Sequence, residues 1–371
     1  MKLEFSKHDT LVTKGIAIIF LVFYHCLSSK DRLLGYTVDF TPFKQSHAMY
    51  IFEAMNICVG MFAFLSAFGL TRNISYSYKR LDINAKETSV FLTKRTISLL
   101  GSFFLPFVIC VVVSLSFTDY NPYGTGINFV FNLIADMLGI SALIGSKLMI
   151  GTWWYMSFAL VIIFLMPLTC HLYKKFGVFV LVPYIVLPVL LQPGFFSASG
   201  LTNMTRWLLC IPLGVIFAEG RVFEKLKESN VTKSRVLSKI IKFIILTVVL
   251  CVLILFRRTS WCEKYFFYFI SSVLPVVFIY FIYEFICDIP LIKTVLSFLG
   301  KHSSNIFFVH TFIRGVWLTD FTYSLGNWVL IGLFVLLGGL VISLCIEGLK
   351  ALTRWNRLIK LVTDKAVKRI A

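Results

Sequence analysis

Charged residues are scarce in this sequence of 371 residues. They make up 15% of it, whereas soluble domains carry about a quarter. Cys-x-x-Cys pairs are absent, and the nine cysteines lie singly, which favours small buried side chains over zinc or redox motifs. The six histidines lack the spacing of paired metal ligands, so we expect no metal site. An ordinary soluble domain is therefore excluded.

Apolar residues dominate instead, at 58% of the chain with 38 phenylalanines. Runs of about 20 apolar residues are typical of membrane-spanning helices. The runs are continuous and do not alternate, which favours helices over a membrane barrel. The sequence predicts an all-α integral membrane protein, with one transmembrane domain over residues 1–371 and no fused soluble domain. The ten predicted spans are 11–27, 48–71, 96–117, 150–170, 176–192, 204–220, 240–256, 265–286, 303–319 and 326–349.

The formal net charge of +18 is explained by topology. With the N-terminus inside, 27 of the 36 basic residues fall in cytoplasmic segments and nine fall outside. This is the bias that the positive-inside rule predicts, so we expect both termini in the cytoplasm and no binding to nucleic acid.

The first span carries two polar groups, Lys14 and His25. They are eleven positions apart, so on a helix they share a face and lie about 16 Å from each other. An ionisable group at membrane depth is a functional candidate by default. The alternatives are that Lys14 is a snorkelling anchor and His25 a packed, hydrogen-bonded imidazole.

Four stretches in order resemble the acyltransferase-3 family of bacterial membrane acyltransferases. "LVTKGIAIIFLVFYH" matches its basic residue and histidine in the first helix, and "MFAFLSAFGLTR" its Phe-rich segment. "GTWWYMSFALVIIFLMPL" and "FLGKHSSNIFFVHTFI" match two later helices. Ala67 stands where glycine is usual. Ser98 stands where relatives often have the second of two arginines, which leaves an arginine-pair role in doubt.

The resemblance implies an O-acyltransferase of the bacterial plasma membrane. Its donor is expected to be a cytoplasmic acyl-CoA, acetyl-CoA in particular. Its acceptor is expected to be a hydroxyl of a sugar, polysaccharide or lipid-linked glycan. Membrane lipids are the remaining expected partners, and the resemblance leaves the oligomeric state open.

Six residues are the candidate site. His25 is the expected general base, because a histidine titrates near neutral pH. Glu53 on the second span is expected to orient His25 or share its proton, and His310 on the ninth to bind the acceptor or support His25. Lys14, Lys94 and Arg95 are expected to hold the phosphates of the donor. For Glu53 and His310, structural roles remain open alternatives.

Residues 127–145 are apolar but carry Asn128, Asn132 and Asp136 at four-residue spacing. This pattern predicts an amphipathic or re-entrant segment on the outer face with one polar side.

The main alternative is a transporter of polysaccharide or lipid-linked sugar, because ten helices with polar groups inside also describe a transporter. The sequence shows no inverted repeat and no matching pair of broken helices. The enzyme is therefore the favoured hypothesis.

Overall fold

The computed structural model describes residues 4–190 and 202–370. These residues form helices and turns, with one isolated β-bridge between Asp39 and Asn327. The helices in chain order are α1 (Lys7–Leu27), α2 (Gln45–Ala54), α3 (Cys58–Tyr78), α4 (Ala85–Phe117), α5 (Gly126–Met137), α6 (Ser141–Ile144), α7 (Trp154–Phe176), α8 (Leu181–Leu190), α9 (Thr202–Thr205), α10 (Cys210–Gly220), α11 (Val222–Glu228), α12 (Arg235–Phe256), α13 (Ser260–Tyr265), α14 (Phe267–Phe281), α15 (Pro290–Phe312), α16 (Thr319–Ser324), α17 (Trp328–Leu352) and α18 (Trp355–Lys368).

Short 3₁₀-helical and π-helical segments lie next to some of these helices. The 3₁₀ turns are Lys30–Leu33, Met55–Ile57, Gly151–Trp153 and Gly177–Val180, and the π turns are Ile282–Ile286 and Ile313–Trp317. The prediction of an all-α fold is confirmed for the described residues.

Seven helical segments of the described chain are long and apolar enough to cross a membrane. They are Lys7–Leu27, Gln45–Tyr78, Ala85–Phe117, Gly151–Pro188, Arg235–Phe256, Phe267–Ile286 and Trp328–Leu352. The predicted spans 150–170 and 176–192 fall largely within one of them, and residues 191 and 192 lie outside the described residues. The other two predicted spans are not among the seven. Span 204–220 corresponds mainly to α10, which has only 11 residues, and span 303–319 begins in α15, which is not among the candidates. Ten spans and cytoplasmic termini stay predictions.

The described residues divide into two compact units. The first draws on the ranges Met1–Ala17, Ile57–Ile83 and Leu165–Lys301, and the second on Ile18–Asn56, Asn84–Phe164 and His302–Ala371. In the first unit α3 packs against α10 and α14, and α12 packs against α14. Ala67 faces Gly214 there, where a Cβ would lie 2.7 Å from the Ala67 Cβ. Ala67, which stands where the family usually has glycine, therefore packs against a glycine of the neighbouring helix.

In the first unit α1 and α15 approach each other closely at two glycines. A Cβ at Gly15 would lie 2.1 Å from the carbonyl oxygen of Leu296, and one at Gly300 would lie 1.9 Å from that of Leu11. Only glycine lets two backbones approach this closely. This contact explains why Gly300, in the family-like stretch "FLGKHSSNIFFVHTFI", is a glycine.

In the second unit α18 packs along α4. The indole Nε1 of Trp355 donates to the carbonyl of Gly101 at 2.8 Å, and its ring stacks on Phe104 with centroids 5.5 Å apart. Ile359, one turn further, covers Gly101, where a Cβ would lie 2.7 Å from its side chain. These contacts hold the basic start of α4 beside α18.

The segment of residues 118–150, also in the second unit, folds around the buried polar side of α5. Oδ2 of Asp136 accepts from the Tyr123 hydroxyl and from the Met149 amide, both at 2.7 Å. The Asn132 side chain donates to the Tyr123 carbonyl at 3.0 Å and accepts from the Lys147 amide at 3.1 Å. The helix is amphipathic as predicted. On its polar side Asn132 and Asp136 are buried and Asn128 is exposed, while Ile127, the most exposed of its apolar residues, is 80% exposed.

Asp136 makes the stability of this segment depend on pH. Burial raises the pKa of its carboxyl group to about 6 from an ordinary value of 3.8. The folded state therefore binds more protons than the unfolded state between these values, so stability falls as pH rises from about 4 to about 6. The total is at most about 3 kcal/mol. We expect Asp136→Asn, measured by thermal unfolding, to lose much of this dependence.

The control for this measurement is Asp119→Asn, because Asp119 is an exposed carboxylate of the same segment. That variant should keep the pH dependence of the unmodified protein. An Asp136→Asn protein whose unfolding temperature changes with pH as much as the control does would contradict the assignment.

Candidate functional site

His25 lies near the end of α1 and is half-buried in the second unit. Arg32, from the 3₁₀ turn that follows, donates through Nη1 to His25 Nδ1 at 2.7 Å and more weakly to the His25 carbonyl at 3.3 Å. The guanidinium also lies over the ring of Tyr24, 4.5 Å from its centroid. The turn that follows α1 thus places the Arg32 guanidinium against His25, the expected base.

This contact fixes the proton on the His25 ring. A guanidinium only donates, so Nδ1 of His25 must accept, and the neutral ring carries its proton on Nε2. In this arrangement the lone pair that would take a proton from a substrate is occupied by Arg32. Arg32 must leave Nδ1 before His25 can act as a base there.

His310, on α15, faces the same place. Its ring centroid lies 5.1 Å from that of His25, and its side chain is fully buried. Nδ1 lies 2.7 Å from the carbonyl of Phe307. A carbonyl only accepts, so Nδ1 carries the proton and donates. Nε2 then accepts from the Thr311 hydroxyl at 3.0 Å. Both ring nitrogens are engaged, which suits the supporting role predicted for His310.

The N-terminal end of α7 packs against this part of α15. The indole Nε1 of Trp153, a fully buried residue, donates to the carbonyl of Phe308 at 3.1 Å. The Thr152 and Thr311 hydroxyls lie 3.3 Å apart. Because Thr311 donates to His310, Thr152 is the donor in this pair. The "GTWW" stretch therefore anchors the His310 ring.

A second arginine, Arg314, lies on the π turn after α15. Its Nη1 donates to the Tyr323 hydroxyl at 3.3 Å, and that hydroxyl donates to the Cys26 carbonyl at 3.2 Å. Burial raises the pKa of Tyr323 to about 12, so it stays protonated at physiological pH. Tyr36 stacks on Tyr323 with ring centroids 5.6 Å apart, and its hydroxyl donates to Asp320. Through Tyr323, Arg314 is thus connected to Cys26, the residue that follows His25.

The other predicted residues lie in different surroundings. Glu53 is exposed on α2, and among the described residues Arg32, not Glu53, is the side-chain hydrogen-bond partner of His25. Lys14 is half-buried on α1 in the first unit. The roles of Glu53 and Lys14 stay predictions. In residues 4–190 and 202–370, no three His, Cys, Asp or Glu side chains cluster in a way that could hold a metal ion.

Lys94 and Arg95 line a cavity of about 510 Å³ in the second unit. Two further cations, Lys350 of α17 and Lys360 of α18, line the same cavity, and Asp364 is the one acidic residue of its wall. The remaining wall includes Ser98, Ser102, Trp355, Asn356 and Thr363. Ligand pockets of small molecules have this size. The cavity offers positive charge and hydroxyl groups together, which suits a phosphorylated ligand.

Comparison with protein families gives one result that agrees with this geometry. A family model of the acyltransferase-3 family, described as an acyltransferase domain, matches residues 12–348, nearly the whole chain. The chain belongs to the acyltransferase-3 family. No curated protein and no solved structure matches it in the corresponding comparisons. The resemblance carried by the four motifs is confirmed, and the protein is a membrane acyltransferase.

Four residues of this acyltransferase that sequence reasoning did not place in the site are Arg32, Arg314, Lys350 and Lys360. Arg32 and Arg314 had a signal, because they are basic residues in segments predicted to lie outside, against the positive-inside trend. Lys350 and Lys360 had none, because they belong to a basic tail that topology alone explains. The packing of α18 on α4 brings Lys360 to Lys94, and Lys350 reaches the same cavity from the end of α17.

The hydrogen bonds predict opposite tautomers for the two histidines of the acyltransferase. At pH 8, nitrogen NMR of ¹⁵N-histidine-labelled protein should show His25 protonated on Nε2 and His310 on Nδ1. Arg32→Met removes the donor to His25, so His25 should then exchange between tautomers while His310 is unchanged. His25→Gln and His310→Gln assign the signals. A proton on Nδ1 of His25 in the unmodified protein would contradict the geometry.

Proposed function

We propose that this acyltransferase moves an acyl group, acetyl in particular, from acyl-CoA to a hydroxyl of a cell-envelope sugar. The acceptor class includes polysaccharides and lipid-linked glycans, and the location is the bacterial plasma membrane with the donor on the cytoplasmic side. The observation that supports this most is the pair of imidazoles of His25 and His310, 5.1 Å apart. The family match adds the reaction class.

His25 is the general base in this proposal. Once Arg32 has moved off Nδ1, the acceptor hydroxyl gives its proton to Nδ1 and its oxygen attacks the thioester carbonyl carbon. The carbon–sulfur bond then breaks, and the leaving sulfur of CoA takes the proton from the imidazolium. No other reactant is needed. His310 keeps the neighbouring ring in place through its hydrogen bonds to Phe307 and Thr311.

The cavity beside α18 is the proposed place for the phosphates of CoA. The family often has a second arginine at the position of Ser98, and here Lys350 and Lys360 supply cations from other helices. Lys350 also pairs with Glu347 at 2.7 Å, whereas among the described residues Lys94 and Lys360 form no ion pair with a carboxylate. Lys14, at the start of the first helix, remains a proposed contributor to donor binding.

Loss of His25 tests the base. His25→Ala should lower acyl transfer by about two to four orders of magnitude, the usual effect of losing a general base. The matched control is His47→Ala, since His47 is exposed in the same unit and should be dispensable. Release of free CoA by purified protein in detergent, given acyl-CoA and a panel of sugars, is the measurement.

The same measurement separates the enzyme from the transporter, because detergent solution has no compartments between which a transporter can move its cargo. CoA release that stays at background for every acceptor would favour the transporter. Full activity of a well-folded His25→Ala protein would remove His25 from the mechanism.

Donor binding tests the cavity. Lys360→Gln and Lys94→Gln should each weaken acyl-CoA binding several-fold, and binding should weaken as salt rises, because contacts between exposed charges are screened over about 8–10 Å. Lys365→Gln is the matched control, since Lys365 is exposed on the same helix and does not line the cavity. Titration calorimetry at low and high salt is the measurement. Equal donor affinity in all four proteins would place the donor elsewhere.

A further inference from the structure

Arg32 and Arg314 are half-buried cations that have no acidic partner among the described residues. In the described part of the chain neither forms an ion pair with a carboxylate. Arg72, in the first unit, shows the usual arrangement, because it pairs with Glu4 at 2.8 Å and Glu224 at 2.9 Å. Holding two guanidinium groups away from bulk water without an anion is unfavourable.

Most donors of these two guanidinium groups remain available. Within the described part of the chain, Arg32 donates hydrogen bonds through Nη1 alone, toward His25. Arg314 uses Nη1 toward Tyr323, and its Nε is buried with no partner among the described residues. A guanidinium offers five donors in a planar fork that matches carboxylate and phosphate oxygens. The free donors of both groups therefore suit an oxyanion ligand.

The backbone at both arginines is also unusual. Arg32 lies in a 3₁₀ turn, and Arg314 lies on a π turn that interrupts the end of α15. Single π turns within helices occur frequently at functional sites. Both turns belong to the second unit. Arg32 donates to His25, and Arg314 is connected through the Tyr323 hydroxyl to the carbonyl of the next residue, Cys26.

We propose that Arg32 and Arg314 bind a permanent negative charge, a phosphate or a carboxylate, on the sugar acceptor. This inference rests on the proposed acyl transfer for the identity of the acceptor. The phosphates of CoA are not the ligand, since the long pantetheine arm separates them from the thioester on which His25 acts. An acceptor anion that engages Arg32 also draws it off His25 Nδ1. Binding of the correct acceptor therefore frees the base, and a neutral sugar or water does not.

Binding without donor tests the anion site directly. Purified full-length protein in detergent is titrated with glucose 1-phosphate, glucuronate and glucose in a calorimeter. We expect at least one charged sugar to bind at least tenfold more tightly than glucose, which is about the effect of one charge-assisted hydrogen bond. Tighter binding of glucose 1-phosphate alone identifies a phosphate ligand, and of glucuronate alone a carboxylate ligand. Equal binding of all three sugars would overturn the proposal.

Variants separate this site from the general positive charge of the surface. Arg32→Gln and Arg314→Gln should each lose at least tenfold in affinity for the charged sugar, whereas Lys30→Gln, which removes an exposed cation two residues from Arg32, should lose little. Equal losses in all three variants, or none in the arginine variants, would overturn the proposal. Arg32→Lys and Arg314→Lys keep the charge without the fork, so they should bind with intermediate affinity.

Acyl-CoA affinity is the folding control, and it should be the same in every variant of this set. If a Gln variant loses acyl-CoA binding, it is misfolded, and the test moves to the corresponding Lys variant, which keeps the charge. A folded Lys variant that binds the charged sugar as tightly as the unmodified protein would overturn the role of the guanidinium fork. The protein could bind the charged sugar as expected and yet never release CoA. That result would support the anion site and contradict the proposed acyl transfer.

Discussion

The proposed mechanism depends on one interaction, the hydrogen bond from Arg32 to His25. This bond occupies Nδ1, the nitrogen whose lone pair a base needs, and it places the ring proton on Nε2. With His25 as the proposed base, catalysis must wait until Arg32 moves away. With the proposed acyl-CoA donor, this arrangement would limit hydrolysis of the thioester, because water does not offer the negative charge that would displace a guanidinium.

Two helices carry the features that matter most, α1 and α15. Near one end they meet backbone to backbone at Gly15 and Gly300. Further along they carry His25 and His310, whose rings meet in the second unit. The family motifs in these helices therefore combine a packing requirement with a chemical one. Substitution of either glycine by a larger residue is expected to disturb the helix pair through sterics alone, without touching a reacting group.

The sequence predicted the helical membrane class and the family, because hydropathy and motif spacing are local properties. It did not predict which residue contacts His25. Glu53 was favoured on charge and depth, yet the hydrogen bond comes from Arg32, seven residues after His25 across a turn whose shape local patterns do not specify. Likewise, the spacing of Asn128, Asn132 and Asp136 predicted one polar side of this segment, but it did not predict that packing buries Asp136 against Tyr123. The basic cavity depends on α18 lying along α4, a long-range contact with no sequence signature.

The fold of residues 118–150 rests on side-chain hydrogen bonds to Asp136 and Asn132 in a stretch that has no cysteine. All nine cysteines of the chain are free thiols. The fold of residues 118–150 therefore depends on no disulfide bond, and its stability changes with pH through Asp136. A disulfide-reducing medium therefore leaves this segment intact, and the segment can open reversibly without any covalent bond being broken.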